Sequence, residues 1–240
     1  STLGTRSSGE TQDHTRWCWP GAGGPTEETV RRAAHQPGGT TGLTVVTSRL
    51  SEQADLYGRR GVEPGDVVAS GPAGPEQDRI LKLLADHDDA LDRSCRPGHL
   101  TGSALVIDPA DRKILLMFHT KLKRWLQPGG HADGDGDLAR VALREASEET
   151  GIEGLRVCEP PVDLDIHVVD PPAEEAHEHH DVRFLVVAPP GAVPVGNHES
   201  QGLRWVTYGE LESLGADVGL LRLAGRALAH LGDMEEAGLL

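Results

Sequence analysis

The stretch that most constrains this chain runs from Gly129 to Ile152, GGHADGDGDLARVALREASEETGI, a glycine-rich loop feeding a helix that carries three glutamates. Residues 137–150 read as that helix, with Gly151 closing it, because glycine supplies the left-handed turn at which helices commonly stop. On its surface Glu145, Glu148 and Glu149 share one sector, at spacings of three and four. Leu138 and Val141 fall in the same sector, whereas a solvated charge stripe sits opposite the apolar positions rather than continuing them. Carboxylates converging on a partly buried face repel one another unless countercharge is present. Hard divalent cations, which prefer oxygen ligands, supply it. Arg144 can reach Glu148 at i+4 and hold one carboxylate, but one guanidinium does not neutralise three. Upstream, Gly129 and Gly130 let the backbone turn tightly and leave a carbonyl free to face the same centre. A loop–helix junction also offers amide donors that suit phosphate oxygens. Together these features point to metal-assisted chemistry on a phosphate ester or anhydride. A merely exposed, charged helix leaves the register of the loop unexplained. A calcium loop counted from Asp133 fails, since it needs Gly and Glu where Leu138 and Arg144 stand. Asp135 or Asp137 is then left to cap the helix.

The same stretch resembles the signature of the Nudix hydrolases, G-x5-E-x7-R-E-U-x-E-E-x-G-U, with U a bulky aliphatic residue. Gly130, Arg144, Glu145, Glu148, Glu149, Gly151 and Ile152 match at the required intervals. Ala146 is a mild departure, and Gly136 replaces the first glutamate of the pattern, between Asp135 and Asp137. The resemblance implies an α/β (α+β) fold, an α/β/α sandwich in which helices enclose a mixed β-sheet. It implies Mg²⁺ or Mn²⁺ on Glu145, Glu148 and Glu149, with the Gly130 carbonyl as a further ligand. Activated water would attack one phosphorus of a diphosphate, in a nucleoside diphosphate derivative. The catalytic set would be Glu148, Glu149 and Arg144, joined by Glu199 in GNHESQGLRWV as a candidate base from a later loop. Two rival activities share the fold. One is a non-catalytic nucleotide-sensing module; the other is an isomerase of isoprenoid diphosphates, whose acid–base pair often includes a cysteine. The intact Arg144, Glu145, Glu148 and Glu149 set favours the hydrolase, and neither Cys95 nor Cys158 lies near it in sequence.

Composition narrows the partners. A formal charge of −15 repels duplex nucleic acid and anionic membranes, while bound divalent metal can reverse the local sign for a small phosphorylated substrate. Cys18, Cys95 and Cys158 show no paired spacing, which suits a reducing cytoplasm. No apolar run approaches the roughly 18 residues of a membrane span, and no signal-peptide core stands near the N-terminus. A homodimer remains open.

Residues 1–73 are rich in Gly and Pro, and segments such as GAGGPTEE and HQPGGTTG cannot bury enough to offset ordering. They are expected to be largely disordered, apart from LTVVTSRL (43–50), a candidate strand. Residues 74–240 form the expected Nudix-like domain, opening with a helix over 75–95 that starts on proline and acidic residues. Its Ile80, Leu81, Leu84 and Leu91 recur at helical spacing. Strands are expected at 101–108, 112–118, 163–170, 181–189 and 202–208, and closing helices at 209–215 and 217–231.

One further motif, HEHHDVRF (177–184), stays ambiguous. If extended, it projects His177, His179, Asp181 and Arg183 from one face. Two histidines and an aspartate could bind a transition metal. They could instead line the substrate pocket, with His179 beside substrate and Arg183 on a phosphate, or be ordinary polar residues at a strand entrance. His131, next to Gly130, is a candidate phosphate contact. Trp125 and Trp205 are expected in the core or a pocket wall, and Cys158 is expected to be inert.

Overall fold

Residues 104–107 read ALVI and residues 184–187 read FLVV, without a polar position on either side of the strand, so a sheet containing both must be covered on two faces. The computed structural model describes residues 61–120, 122–171, 174–196 and 200–240. In chain order they form α1 (Pro64–Ala69), α2 (Pro75–Asp86), β1 (Gly98–Asp108), β2 (Lys113–His119), β3 (Arg124–Leu126), β4 (Gly129–His131), α3 (Leu138–Thr150), β5 (Arg156–Val169), β6 (His177–Val187), β7 (Ser200–Val206) and α4 (Val218–Glu236). Two 3-10 turns, Tyr208–Glu210 and Glu212–Leu214, lead into α4.

The strands make one seven-stranded mixed sheet, ordered β3-β2-β1-β6-β5, with β4 pairing β1 and β7 pairing β2. Strands β1 and β6 run parallel, in register from Gly98 opposite Glu178 to Ile107 opposite Val187. The other pairings are antiparallel. One face carries Leu100, Ala104, Val106, Val182, Phe184 and Val186 against α1, α2 and α3. The other carries Leu105, Ile107, Leu185 and Val187 against Leu220, Leu223, Ala227 and Leu231 of α4. Each Val, Leu, Ile or Phe among them contributes about 1.5–3 kcal/mol by leaving water. The α/β/α sandwich is therefore present, with α3 and α4 on opposite sides. Helix α3 comes close to β1 at Gly102, where an added Cβ would lie 2.9 Å from the Leu138 carbonyl and 3.0 Å from Val141.

Four of the departures from the expected boundaries have a readable form. Helix α2 stops at Asp86, because His87 turns extended (φ −134, ψ 108) and the aspartate-rich residues after it form turns. Leu91 still packs against the core from that turn. Residues 61–73, assigned above to the disordered segment, include α1, whose Val67 and Val68 are buried. Strand β5 begins at Arg156, seven residues early by the numbering, and shifts register between Cys158 and Asp163, across Pro160 and Pro161, which lack an N–H for the ladder. The segment 209–215 forms 3-10 turns rather than a helix. The candidate strand 43–50 and Glu199 lie outside the described residues. No helix among the described residues is long and apolar enough to cross a membrane.

Candidate functional site

Both ends of α3 are fixed. At its start the Asp137 carboxylate accepts from the Arg140 amide at 3.1 Å. Asp135 accepts from the Asp137 amide at 3.0 Å and from Arg140 Nε at 2.9 Å, so both candidate caps take part. At its end Gly151 adopts φ 64, and its N–H donates to the Ser147 carbonyl. The helix is thereby held with its glutamates against β4.

The contacts there are close. A Cβ on Gly130 would lie 2.4 Å from the Glu145 carboxyl carbon, so that carboxylate sits directly on the glycine. The Gly129 amide donates to Glu149 Oε2 at 3.1 Å. Arg144 Nη2 donates to the His131 carbonyl at 3.2 Å and to Glu145 Oε1 at 2.8 Å, tying loop to helix. Arg144 thus pairs with its neighbour Glu145. Burial works against the Arg144 charge, but Glu145 first, then Glu148, outweigh it and raise its pKa. Glu145 and Glu149 are half-buried and Glu148 is exposed. An all-oxygen donor set, seated beside a glycine that tolerates no side chain, fits a hard divalent cation.

Gly136 has a local cause. A Cβ there would lie 2.8 Å from the Val62 carbonyl and 3.1 Å from Pro64 Cδ. The chain entering α1 packs against the position where the pattern has its first glutamate.

The other candidates lie across the sheet. Gly130 pairs with Gly102 and His131 with Thr101. Because side chains alternate, His131 faces away from α3, together with His99, His177 and His179. The His131 ring is 5.1 Å from that of His179 and 5.0 Å from that of His99. Burial, then the neighbouring imidazoles, push His99 down to about 4 and His179 down to about 3. Burial, then Arg93, lowers His131 as well.

Further along this face Arg183 is buried among carboxylates. It donates to Asp181 and Asp165, each at 2.7 Å, and to Asp163 at 3.4 Å. Thr101 and Ser103 also donate to Asp181, at 2.9 Å. Arg222 and Arg226 of α4 reach Asp163, and Arg222 also reaches Asp165. Burial opposes the Arg183 charge, but Asp181 and Asp165 raise its pKa. Burial likewise pushes Asp165 up, yet His167, Arg183 and Arg222 outweigh it and hold the carboxylate well below its usual range.

The structure therefore brings Gly130, Arg144, Glu145 and Glu149 together, with Glu148 on the same helix sector. It places His131 and His179 together on the opposite face, and Arg183 in an ionic cluster. Trp125 and Trp205 are partly buried against the two cores. Sequence reasoning missed His99, Asp163, Asp165 and Arg222. Alternation through GHLTGSALV sets His99 on the face of Thr101 and Ser103, and that signal could have found it.

A family model described as the NUDIX domain matches residues 99–223. A curated protein named probable DHNTP pyrophosphohydrolase, from Lactococcus lactis subsp. cremoris (strain MG1363), is 29% identical over 114 residues, covering 45% of this chain. The match spans 66% of that relative's length, just under two thirds. Among solved structures, a NUDIX-family hydrolase from Clostridium perfringens is similar at 22% identity and TM-score 0.47, covering 55% of this chain and 97% of that one. A C. elegans Ap4A hydrolase binary complex is similar at 18% identity and TM-score 0.47, covering 56% of this chain and 98% of that one.

Proposed function

Since the chain belongs to the NUDIX domain family, we propose that it is a metal-dependent pyrophosphohydrolase. It splits the diphosphate linkage of a nucleoside diphosphate derivative by attack of water on phosphorus. The observation that carries this reading is the seating of Glu145 on Gly130 and of Glu149 on the Gly129 amide, with Arg144 bridging helix and loop. Mg²⁺ or Mn²⁺, held by Glu145, Glu148, Glu149 and the Gly130 carbonyl, would supply an activated water and offset charge on the leaving phosphate. Arg144 keeps the Glu145 carboxylate turned toward β4 through its 2.8 Å hydrogen bond. Glu148, the exposed member of the sector, accepts the proton of the attacking water in this reading, and Glu199 is the alternative base. Arg183 serves the sheet rather than the phosphate, its guanidinium being committed to three aspartates.

A net charge of −15 supports a small phosphorylated substrate over duplex nucleic acid. Cys95 and Cys158 are both buried, with no paired spacing in sequence, which supports a reducing, cytoplasmic setting. The reading is tested by product analysis with nucleotide sugars, dinucleoside polyphosphates, ADP-ribose and nucleoside triphosphates, each with Mg²⁺ and with Mn²⁺. Cleavage of one class, abolished by chelation and by Glu148→Gln, is expected. Silence across the panel, with a nucleotide still raising the melting temperature, would replace it with a ligand-sensing module.

A further inference from the structure

We propose that His99, His177 and His179 form a second metal site, selective for a transition-metal dication such as Zn²⁺, on the face of the sheet opposite the glutamates. One ligand atom from each ring lies within 4.8 Å of the other two. The ring centroids are 4.9, 5.0 and 5.4 Å apart. Small side-chain rotations bring such nitrogens to the ~3.3 Å spacing implied by Zn–N bonds of about 2.0–2.1 Å in a tetrahedron.

His99 supplies an independent observation. It is 1% exposed, and neither of its ring nitrogens makes a hydrogen bond. The Cys95 main chain approaches the ring without reaching hydrogen-bond geometry. Leaving such a group buried and unpaired is unfavourable, and a cation shared with two further imidazoles takes up the lone pair of one of its nitrogens.

His177 is oriented for the same purpose. Its Nδ1 lies 2.7 Å from the Glu175 carbonyl. A carbonyl only accepts, so Nδ1 carries the proton and Nε2 keeps its lone pair. Metal-ligating histidines are characteristically fixed by such an outer hydrogen bond.

The donor chemistry separates the two sites. Imidazole nitrogens favour Zn²⁺, Ni²⁺ and Cu²⁺, whereas Mg²⁺ prefers oxygen and near-octahedral geometry. Strand β4 stands between them, with Gly130 against Glu145 on one side and His131 beside His99 and His179 on the other. Three protein ligands leave a fourth position open, bordered by the half-exposed His131 and His179. The ambiguous HEHHD motif is thereby divided. His177 and His179 join His99 from the parallel neighbour β1, while Asp181 is taken by Thr101, Ser103 and Arg183.

The test is a titration of the chelator-treated full chain with Co²⁺ as a spectroscopic probe, followed by displacement with Zn²⁺ in excess Mg²⁺. One equivalent of Co²⁺ should give the intense visible absorption of a four-coordinate nitrogen site, unaffected by Mg²⁺ and lost on adding Zn²⁺. His177→Gln and His179→Gln should each weaken binding at least about tenfold, while Glu149→Gln leaves it unchanged. Zn²⁺ should raise the melting temperature of the parent chain but not of His179→Gln. The half-exposed His179 carries the test if the buried His177 variant fails to fold. Absence of saturable Co²⁺ binding would overturn the proposal, as would undiminished binding in His179→Gln, which would leave the rings as a pocket lining. Loss in Glu149→Gln would move the ion to the glutamates. None of these readouts uses hydrolysis, so the proposal and the pyrophosphohydrolase reading stand or fall separately.

Discussion

A methyl group on Gly130 would stand 2.4 Å from the carboxyl carbon of Glu145, a distance that real side chains do not tolerate. Gly130→Ala should therefore displace that carboxylate and lower turnover at least about tenfold through a weakened metal site. A raised Mg²⁺ requirement in a folded variant is the signature to look for, and unchanged metal dependence would remove Glu145 from the site. Gly151 is constrained twice, by φ 64 and by a Val195 carbonyl 2.6 Å from an added Cβ. Gly151→Ala should cost about 1–2 kcal/mol by urea unfolding. At this scale Gly130 and Gly151 were legible because their spacing to the glutamates is local. The reason for Gly136 was not, because the atoms that exclude a side chain there, from Val62 and Pro64, come from a distant segment.

Among elements, β5, β6 and α4 are joined by charge rather than by apolar packing alone. Asp163, fully buried, meets Arg183, Arg222 and Arg226. Removing one partner of a buried ionic cluster leaves the others uncompensated, so Asp163→Ala should lose about 3–5 kcal/mol; a loss below ~1 kcal/mol would mean that solvent screens the cluster. Asp165 adds a pH dependence. Its folded pKa is depressed, so its contribution is complete above the unfolded value near 3.8 and fades as pH falls toward the folded one. The stability gap between the parent chain and Asp165→Asn should therefore narrow below about pH 4, and a constant gap would contradict the assignment. Long strands and α3 were readable from apolar runs and periodicity. Strands β3 and β4, three residues each, are too short to show a period. The shared face of His177, His179, Asp181 and Arg183 was also readable, but the union of His177 and His179 with His99 depends on a parallel pairing between strands far apart in sequence.

At the scale of the whole molecule, one sheet separates the carboxylates of α3 on one face from the imidazoles of His99, His131, His177 and His179 on the other. The described fold begins before the expected boundary, because Val67 and Val68 of α1 belong to the core and Gln77 donates to the Val68 carbonyl at 3.0 Å. A chain starting at Pro75 should be less stable than one starting at Gly61 by about 3–6 kcal/mol, from the apolar burial lost with Val67 and Val68. Equal stability would restore the boundary at 74. The central claim is that the glutamates of α3 perform metal-assisted hydrolysis, and the most direct test is the turnover of Glu149→Gln at saturating Mg²⁺ on the substrate found by product analysis. A fall of at least about a hundredfold, with the melting temperature preserved, is predicted from loss of a metal ligand or base; near-parental turnover in the folded variant would contradict the account.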